Sequence, residues 1–175
     1  AQGVIDAGLI WVGPKPASIT AMGLKDAAKA LEHAIKLLEA GHCLGVYPEG
    51  TLTRDPAGWP MVAKTGAARL AVIAKVPVYP AAQWGTQQVL PPYRKKLRLF
   101  PRVTVRYRIG EPVDLSRWYG KEEDPAAMTE ATAEIMRSIT ALLEEIRGQE
   151  RPAAIFDPHA SDLPRTGNFR KNGKN

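Results

Sequence analysis

The sequence predicts an α/β domain with a mixed, largely parallel sheet flanked by helices, on three observations. Short apolar runs of strand length, 43–47 and 76–80, are bounded by glycine or proline, as buried strands are. Segments of helical periodicity alternate with them, at 26–40, 65–75 and 125–147. Strands alternating with helices generate βαβ units. The 175 residues, 45% hydrophobic and 24% charged, are enough for one core of ordinary globular composition.

The elements follow in order. In 26–40, Ala27, Leu31, Ala34, Ile35 and Leu38 share one helical face, while Lys29, Glu32, Lys36 and Glu39 lie towards the other. Gly41 supplies the stop. The strand 43–47 runs into a loop, 51–61, rich in Asp, Pro and Gly. In the helix 65–75, Gly66, Ala67, Ala68 and Ala71 allow a close approach to the sheet. The strand 76–80 follows at once. In 103–109, Val103, Val105, Tyr107 and Ile109 alternate with Thr104, Arg106 and Arg108, the pattern of a half-buried strand. The last helix, 125–147, aligns Met128, Ile135, Ile139, Leu142 and Ile146. Beyond Gly148 the periodicity stops, and 148–175, with Pro152, Pro158, Pro164 and a polar basic end, reads as a disordered basic tail.

The net charge of +6 is unevenly placed. Arg94, Lys95, Lys96, Arg98, Arg102, Arg106 and Arg108 put +7 into one stretch without an offsetting acid. Such a patch suits anionic lipid headgroups, phosphorylated ligands or nucleic acid, or is a plain solvated face. The stretch holds only Tyr93, Phe100 and Tyr107 as aromatics and matches no nucleic-acid-binding motif, so nucleic acid is not the expected partner. The single Cys43, in an apolar run, excludes a disulfide framework and reads as core. With three histidines, His33, His42 and His159, no metal site is expected. No apolar run has the length of a membrane span, and residues 1–13 lack a signal-peptide pattern, so any membrane contact is expected to be peripheral.

The stretch that carries chemistry is Tyr47-Pro48-Glu49-Gly50-Thr51, where the first buried strand runs out into a turn. Ligands of open α/β sheets bind beyond the carboxyl ends of strands. A glycine lets a phosphate approach the backbone, a threonine hydroxyl can donate to it, and an arginine can clamp it. Lys64 precedes a helix start, where backbone N–H groups favour an anion.

These residues resemble the F-P-E-G-T block of the glycerolipid acyltransferases, the lysophosphatidic acid acyltransferase family. The resemblance covers about 28–147. Lys64-Thr65-Gly66 is similar to the helix start after that block, Val76-Pro77-Val78-Tyr79-Pro80 to its V-P-V-x-P strand, and Gly110-Glu111-Pro112-Val113-Asp114-Leu115 to its closing G-x-P-[IV]-D-L element. The resemblance implies Glu49, Gly50, Thr51, Arg54 and Lys64 as substrate-binding residues. Arg54 stands two positions beyond Leu52, where the family has its arginine. It also implies a lysophospholipid acceptor and, as donor, an acyl-CoA or acyl carrier protein thioester, with no other cofactor. The expected place is the cytoplasmic face of an anionic membrane.

The family's upstream H-x-x-x-x-D pair has no counterpart. Leu38 lies five positions after His33, Tyr47 after His42 and Pro164 after His159. The expectation is therefore a domain truncated on its N-terminal side, with no catalytic residue assigned and little turnover alone. The alternative is a non-catalytic domain that binds anionic lipid.

The front of the chain reads differently. Ala7-Gly8-Leu9-Ile10-Trp11-Val12-Gly13-Pro14, followed by Met22, Gly23 and Lys25, resembles the A-G-x-x-[FW]-[IV]-G-P and M-G-x-K pattern of the biotin carboxylases. There the lysine matching Lys25 contacts ATP. Residues 1–25 are too few for that nucleotide site, are not expected to form a domain of their own, and predict a join of two segments between about Gly23 and Leu31.

Overall fold

The computed structural model describes residues 9–12, 27–91, 96–158 and 160, with side chains from residue 31 onward. The elements run β1 (Leu9–Val12), α1 (Ala27–Glu39), β2 (Leu44–Val46), α2 (Gly66–Ala74), β3 (Val78–Trp84), α3 (Thr86–Val89), β4 (Arg106–Ile109) and α4 (Pro125–Arg147). Before α4 comes a 3₁₀ turn, Ser116–Trp118.

The four strands form one sheet in the order β2-β1-β3-β4. β1 is antiparallel to both neighbours, with Trp11 opposite Gly45 on one side and Tyr79 on the other. β3 and β4 are antiparallel, with Ala81 opposite Ile109 and Trp84 opposite Arg106. The expected largely parallel sheet is thus corrected for the described strands. β2 and β3 run the same way, as a βαβ crossover through α2 requires, but β1 lies between them, so every hydrogen-bonded pair is antiparallel. The segment resembling a biotin carboxylase therefore supplies an inner strand of the same sheet.

The helices cover the face of β3 that carries Val78, Pro80 and Ala82, all buried. α4 lies along β3, and α2 touches both α1 and α4. The main core joins Leu38 of α1, Leu44 of β2, Ala68 and Ala71 of α2, Val78 of β3 and Met128, Ile135 and Ile139 of α4. The alanines Ala67, Ala68 and Ala71 of α2 are buried, but α2 packs chiefly against α1 and α4 and not, as expected, along the sheet. α4 begins well. Asp124 caps it by accepting the Ala126 N–H at 2.9 Å, and Pro125 occupies its first turn. Gly148 ends it in the left-handed conformation at φ 60°.

Three boundaries differ from expectation. β3 begins two residues late and continues through Gln83 and Trp84, because Pro80 does not stop it. The Pro80 carbonyl accepts the Gly110 N–H at 2.8 Å. A residue's N–H and C=O leave a strand on the same side, so the missing Pro80 donor faces chain beyond the end of β4, where no ladder bond is lost. β4 is shorter than 103–109, and all four of its residues are exposed. It is an edge strand of the described sheet, and among the described residues no helix packs on the face of Tyr107 and Ile109. Residues 151–158, expected to begin a disordered tail, return to the loop after β2. There Val62 N–H donates to the Phe156 carbonyl at 2.9 Å, and Met61 bridges to Phe156.

Candidate functional site

The Tyr47–Thr51 turn leaves the carboxyl end of β2. Gly50 N–H donates to the Tyr47 carbonyl at 3.0 Å, closing a tight turn in which Gly50 adopts φ 67°. That left-handed conformation favours glycine. The following loop is tied back on itself, because Lys64 N–H donates to the Pro48 carbonyl at 3.0 Å. Within it, Thr53 Oγ1 donates to the Trp59 carbonyl at 2.6 Å, and Asp55 accepts the N–H groups of Ala57 and Trp59. A loop rich in Asp, Pro and Gly is thereby held in one shape by its own side chains.

The five predicted site residues divide into two sets. Gly50 and Lys64 are exposed and adjacent: a Cβ built on Gly50 would stand 3.5 Å from Lys64 Nζ. Thr51 beside them is partly exposed. Lys64 immediately precedes Thr65, the N-cap of α2, whose side chain makes no capping bond, and the first turn of α2 carries no acid. Gly50, Thr51, Lys64 and the positive end of α2, whose first turn carries no acid, thus form one corner that favours an anion.

Glu49 and Arg54 are inside, at 1% and 2% exposure. Glu49 Oε2 accepts the Met61 N–H at 3.2 Å, which pins the far end of the loop to the turn, while Oε1 has no hydrogen-bond partner. Burial pushes the Glu49 carboxyl up to about 8, against the lowering effect of the Met61 N–H and with a small upward push from Asp55. This upward shift favours the neutral form and so lessens the charge the side chain sets against an anion at the corner. Arg54 is engaged with other groups of the fold. The sequence did not separate these two from the exposed set, since a five-residue motif carries no burial information.

The two described histidines lie elsewhere. His33 is exposed on α1. His42 precedes β2 and the turn follows it, so at about 3.3 Å per residue the three strand residues alone hold them roughly 10 Å apart. No base was assigned from the sequence, and neither described histidine is set beside the turn. His159 and Lys25 lie outside the described residues.

One feature of the site had no signal in the sequence. Arg147, the last residue of α4, is sandwiched between the Trp59 and Trp84 rings, its guanidinium carbon 4.0 and 4.1 Å from their centroids. Trp59 belongs to the site loop and Trp84 ends β3, so this cation–π stack ties the loop to the sheet edge and to α4. Burial lowers the Arg147 guanidinium somewhat, and Asp55 opposes that. Nearby, burial raises the Tyr47 phenol, with a contribution from Tyr107.

Comparison with known proteins agrees with the motif. The family model described as Acyltransferase matches residues 6–84, which include β1, the turn and Lys64. A 1-acyl-sn-glycerol-3-phosphate acyltransferase of Bacillus subtilis (strain 168) is 32% identical over 120 residues, 67% of this chain and 54% of that protein. The chain thus spans about half the length of this curated relative. No solved structure matches it. The Y-P-E-G-T turn, its order with the strand and helix that follow, and these matches place the chain in the glycerolipid acyltransferase family.

Proposed function

We propose that the chain binds a lysophospholipid by its phosphate and serves acyl transfer to that lipid's free hydroxyl, with lysophosphatidate as the type acceptor. The corner where Gly50, Lys64 and the start of α2 meet carries this reading, because it is exposed and cationic and the first turn of α2 holds no acid. Lys64 Nζ donates to the phosphate and Thr51 Oγ1 adds a second donor. Gly50 keeps the approach open, and Arg54, buried in the loop that follows the turn, adds positive charge to that loop. Glu49 acts through the backbone, holding residue 61 and with it the shape of the loop.

The donor in this reading is an acyl-CoA or acyl carrier protein thioester. The glycerol hydroxyl oxygen attacks the thioester carbonyl, the C–S bond breaks, and the hydroxyl proton passes through a base to the departing thiolate. A neutral imidazole is the usual base. His33 and His42 are not at the corner, so acceptor binding is assigned to the described residues and little turnover is expected from the chain alone. The same placement favours a second reading, a non-catalytic domain that binds anionic lipid. In both readings the chain works peripherally at an anionic cytoplasmic membrane face, supported by the basic stretch from Arg94 to Arg108.

Calorimetric titration with lysophosphatidate, alongside acyl transfer from labelled acyl-CoA, tests this. Lys64→Ala is expected to weaken binding about tenfold or more, the worth of a charge-assisted hydrogen bond. Unchanged affinity would remove the corner from the site. Turnover at an ordinary enzymatic rate would show a base in place and sink the non-catalytic reading.

A further inference from the structure

The segment between α3 and β4 has a composition and a position that the acceptor corner does not explain. Leu97, Leu99 and Phe100 are 55%, 63% and 81% exposed, and Val105, Tyr107 and Ile109 continue the apolar surface into β4. Lys96, Arg98, Arg102 and Arg106 are interleaved with them and exposed. Among the described residues these four make no ion pair, whereas Arg108 is taken by Glu145 at 2.9 Å. The segment is held in shape at its base. Arg98 N–H donates to the Val89 carbonyl at 2.7 Å, and the Thr104 carbonyl lies so close over Gly85 that a Cβ there would stand 2.5 Å from it.

Topology fixes which side of the molecule it occupies. Trp84 opposite Arg106 sets the start of β4 beside the end of β3. β2 runs the same way as β3, so its carboxyl end, with the Gly50 turn, lies along the same edge of the sheet. The apolar tip and the acceptor corner therefore share one edge.

We infer that residues 96–106 form a wedge that inserts Leu97, Leu99 and Phe100 into an anionic bilayer. Lys96, Arg98, Arg102 and Arg106 then sit at headgroup level, presenting the Gly50–Lys64 corner to the lipid surface. This rests on the peripheral-membrane part of the proposed function. Alternating apolar and cationic side chains match the boundary between acyl chains and anionic headgroups. A second copy of the chain fits poorly. β4 pairing antiparallel with itself about Tyr107 would set Arg106 against Arg108, and like charges opposite each other destabilise a pair. Nucleic acid fits less well too, since stacking needs planar rings and two of the three residues at the tip are leucines.

The test attaches an environment-sensitive fluorophore to Phe100→Cys, and separately to Glu123→Cys before the start of α4. Cys43, at 3% exposure, stays unlabelled in the folded chain. Vesicles of phosphatidylglycerol should raise and blue-shift the signal at position 100 and leave position 123 unchanged. Vesicles of phosphatidylcholine should do neither. On the unlabelled chain, Leu97→Asn with Leu99→Asn should cut sedimentation with phosphatidylglycerol vesicles about tenfold or more. Arg98→Gln with Arg102→Gln should weaken its salt dependence by about half, two of the four headgroup-level cations being removed. An unchanged signal at 100, or equal changes at 100 and 123, overturns the wedge. So does a signal that grows with protein concentration without vesicles, or with added RNA. None of these readouts needs turnover. A chain that inserts but transfers no acyl group keeps the wedge and loses the catalytic reading, and one that acylates monomeric lysophosphatidate without inserting does the reverse.

Discussion

Glu49 is the residue whose chemistry departs furthest from its place in the motif. A carboxyl whose folded pKa is about 8, against an ordinary value of 4.5, binds a proton in the folded state that it loses on unfolding across that window. Stability from this group is therefore greatest below about pH 4.5, falls as pH rises through the window, and levels off above about 8. The full cost is on the order of a few kcal/mol. Glu49→Gln keeps an acceptor for the Met61 N–H and removes the charge. Denaturant unfolding of this variant should show a flatter pH profile between 5 and 8 and higher stability at the alkaline end. A profile parallel to that of the parent would mean that the carboxyl is not buried as described. Gly50→Ala should cost about 1–2 kcal/mol for its left-handed backbone, since the added Cβ meets only the flexible Lys64 end. At this scale the motif was legible as a turn with an anion-binding composition. Which of its side chains face outward was not, because exposure depends on where Met61 and α2 return.

At the scale of elements, the helices were readable and the edges of the sheet were not. α1 and α4 follow their apolar periodicity to within about a residue, since each buries one stripe. β1 was missed although Leu9-Ile10-Trp11-Val12, between Gly8 and Gly13-Pro14, has the composition and punctuation of a strand. β4 alternates correctly but is uncovered, because alternation reports two faces and not whether anything packs on either. The stretch before β4 depends on Gly85, whose φ of 111° and contact with the Thr104 carbonyl leave no room for a side chain. Gly85→Ala should loosen residues 97–104, read as faster tryptic cleavage after Arg98 or Arg102. Trp84→Ala should remove one face of the Arg147 stack and the packing of Trp84 against the buried group of Trp59, Ala82, Leu142 and Leu143. A loss of about 3–5 kcal/mol is expected from calorimetry, with the site loop affected first.

For the whole molecule the question is whether the front of the chain belongs to the same cooperative unit. β1 lies between β2 and β3, so its loss would divide the sheet. Ile10→Pro removes a donor from an inner strand and should lower the single melting transition sharply. A melting curve unchanged from the parent would show that the sheet stands without β1. Among the described residues no helix is long and apolar enough to cross a membrane. The charge surplus and the exposed apolar side chains coincide along the 96–106 edge, where the wedge proposed above would meet lipid.

The sequence by itself determined the family, the helices and the turn to which acceptor binding is proposed. These are local patterns, written in periodicity and in a few residues at fixed spacing. Only the tertiary structure decided that β1 separates β2 from β3, that Glu49 and Arg54 are enclosed while Lys64 stays open, and that the basic stretch flanks the same edge as the turn. Strand order, burial and shared edges arise from contacts between residues far apart in the chain, and no local pattern encodes them.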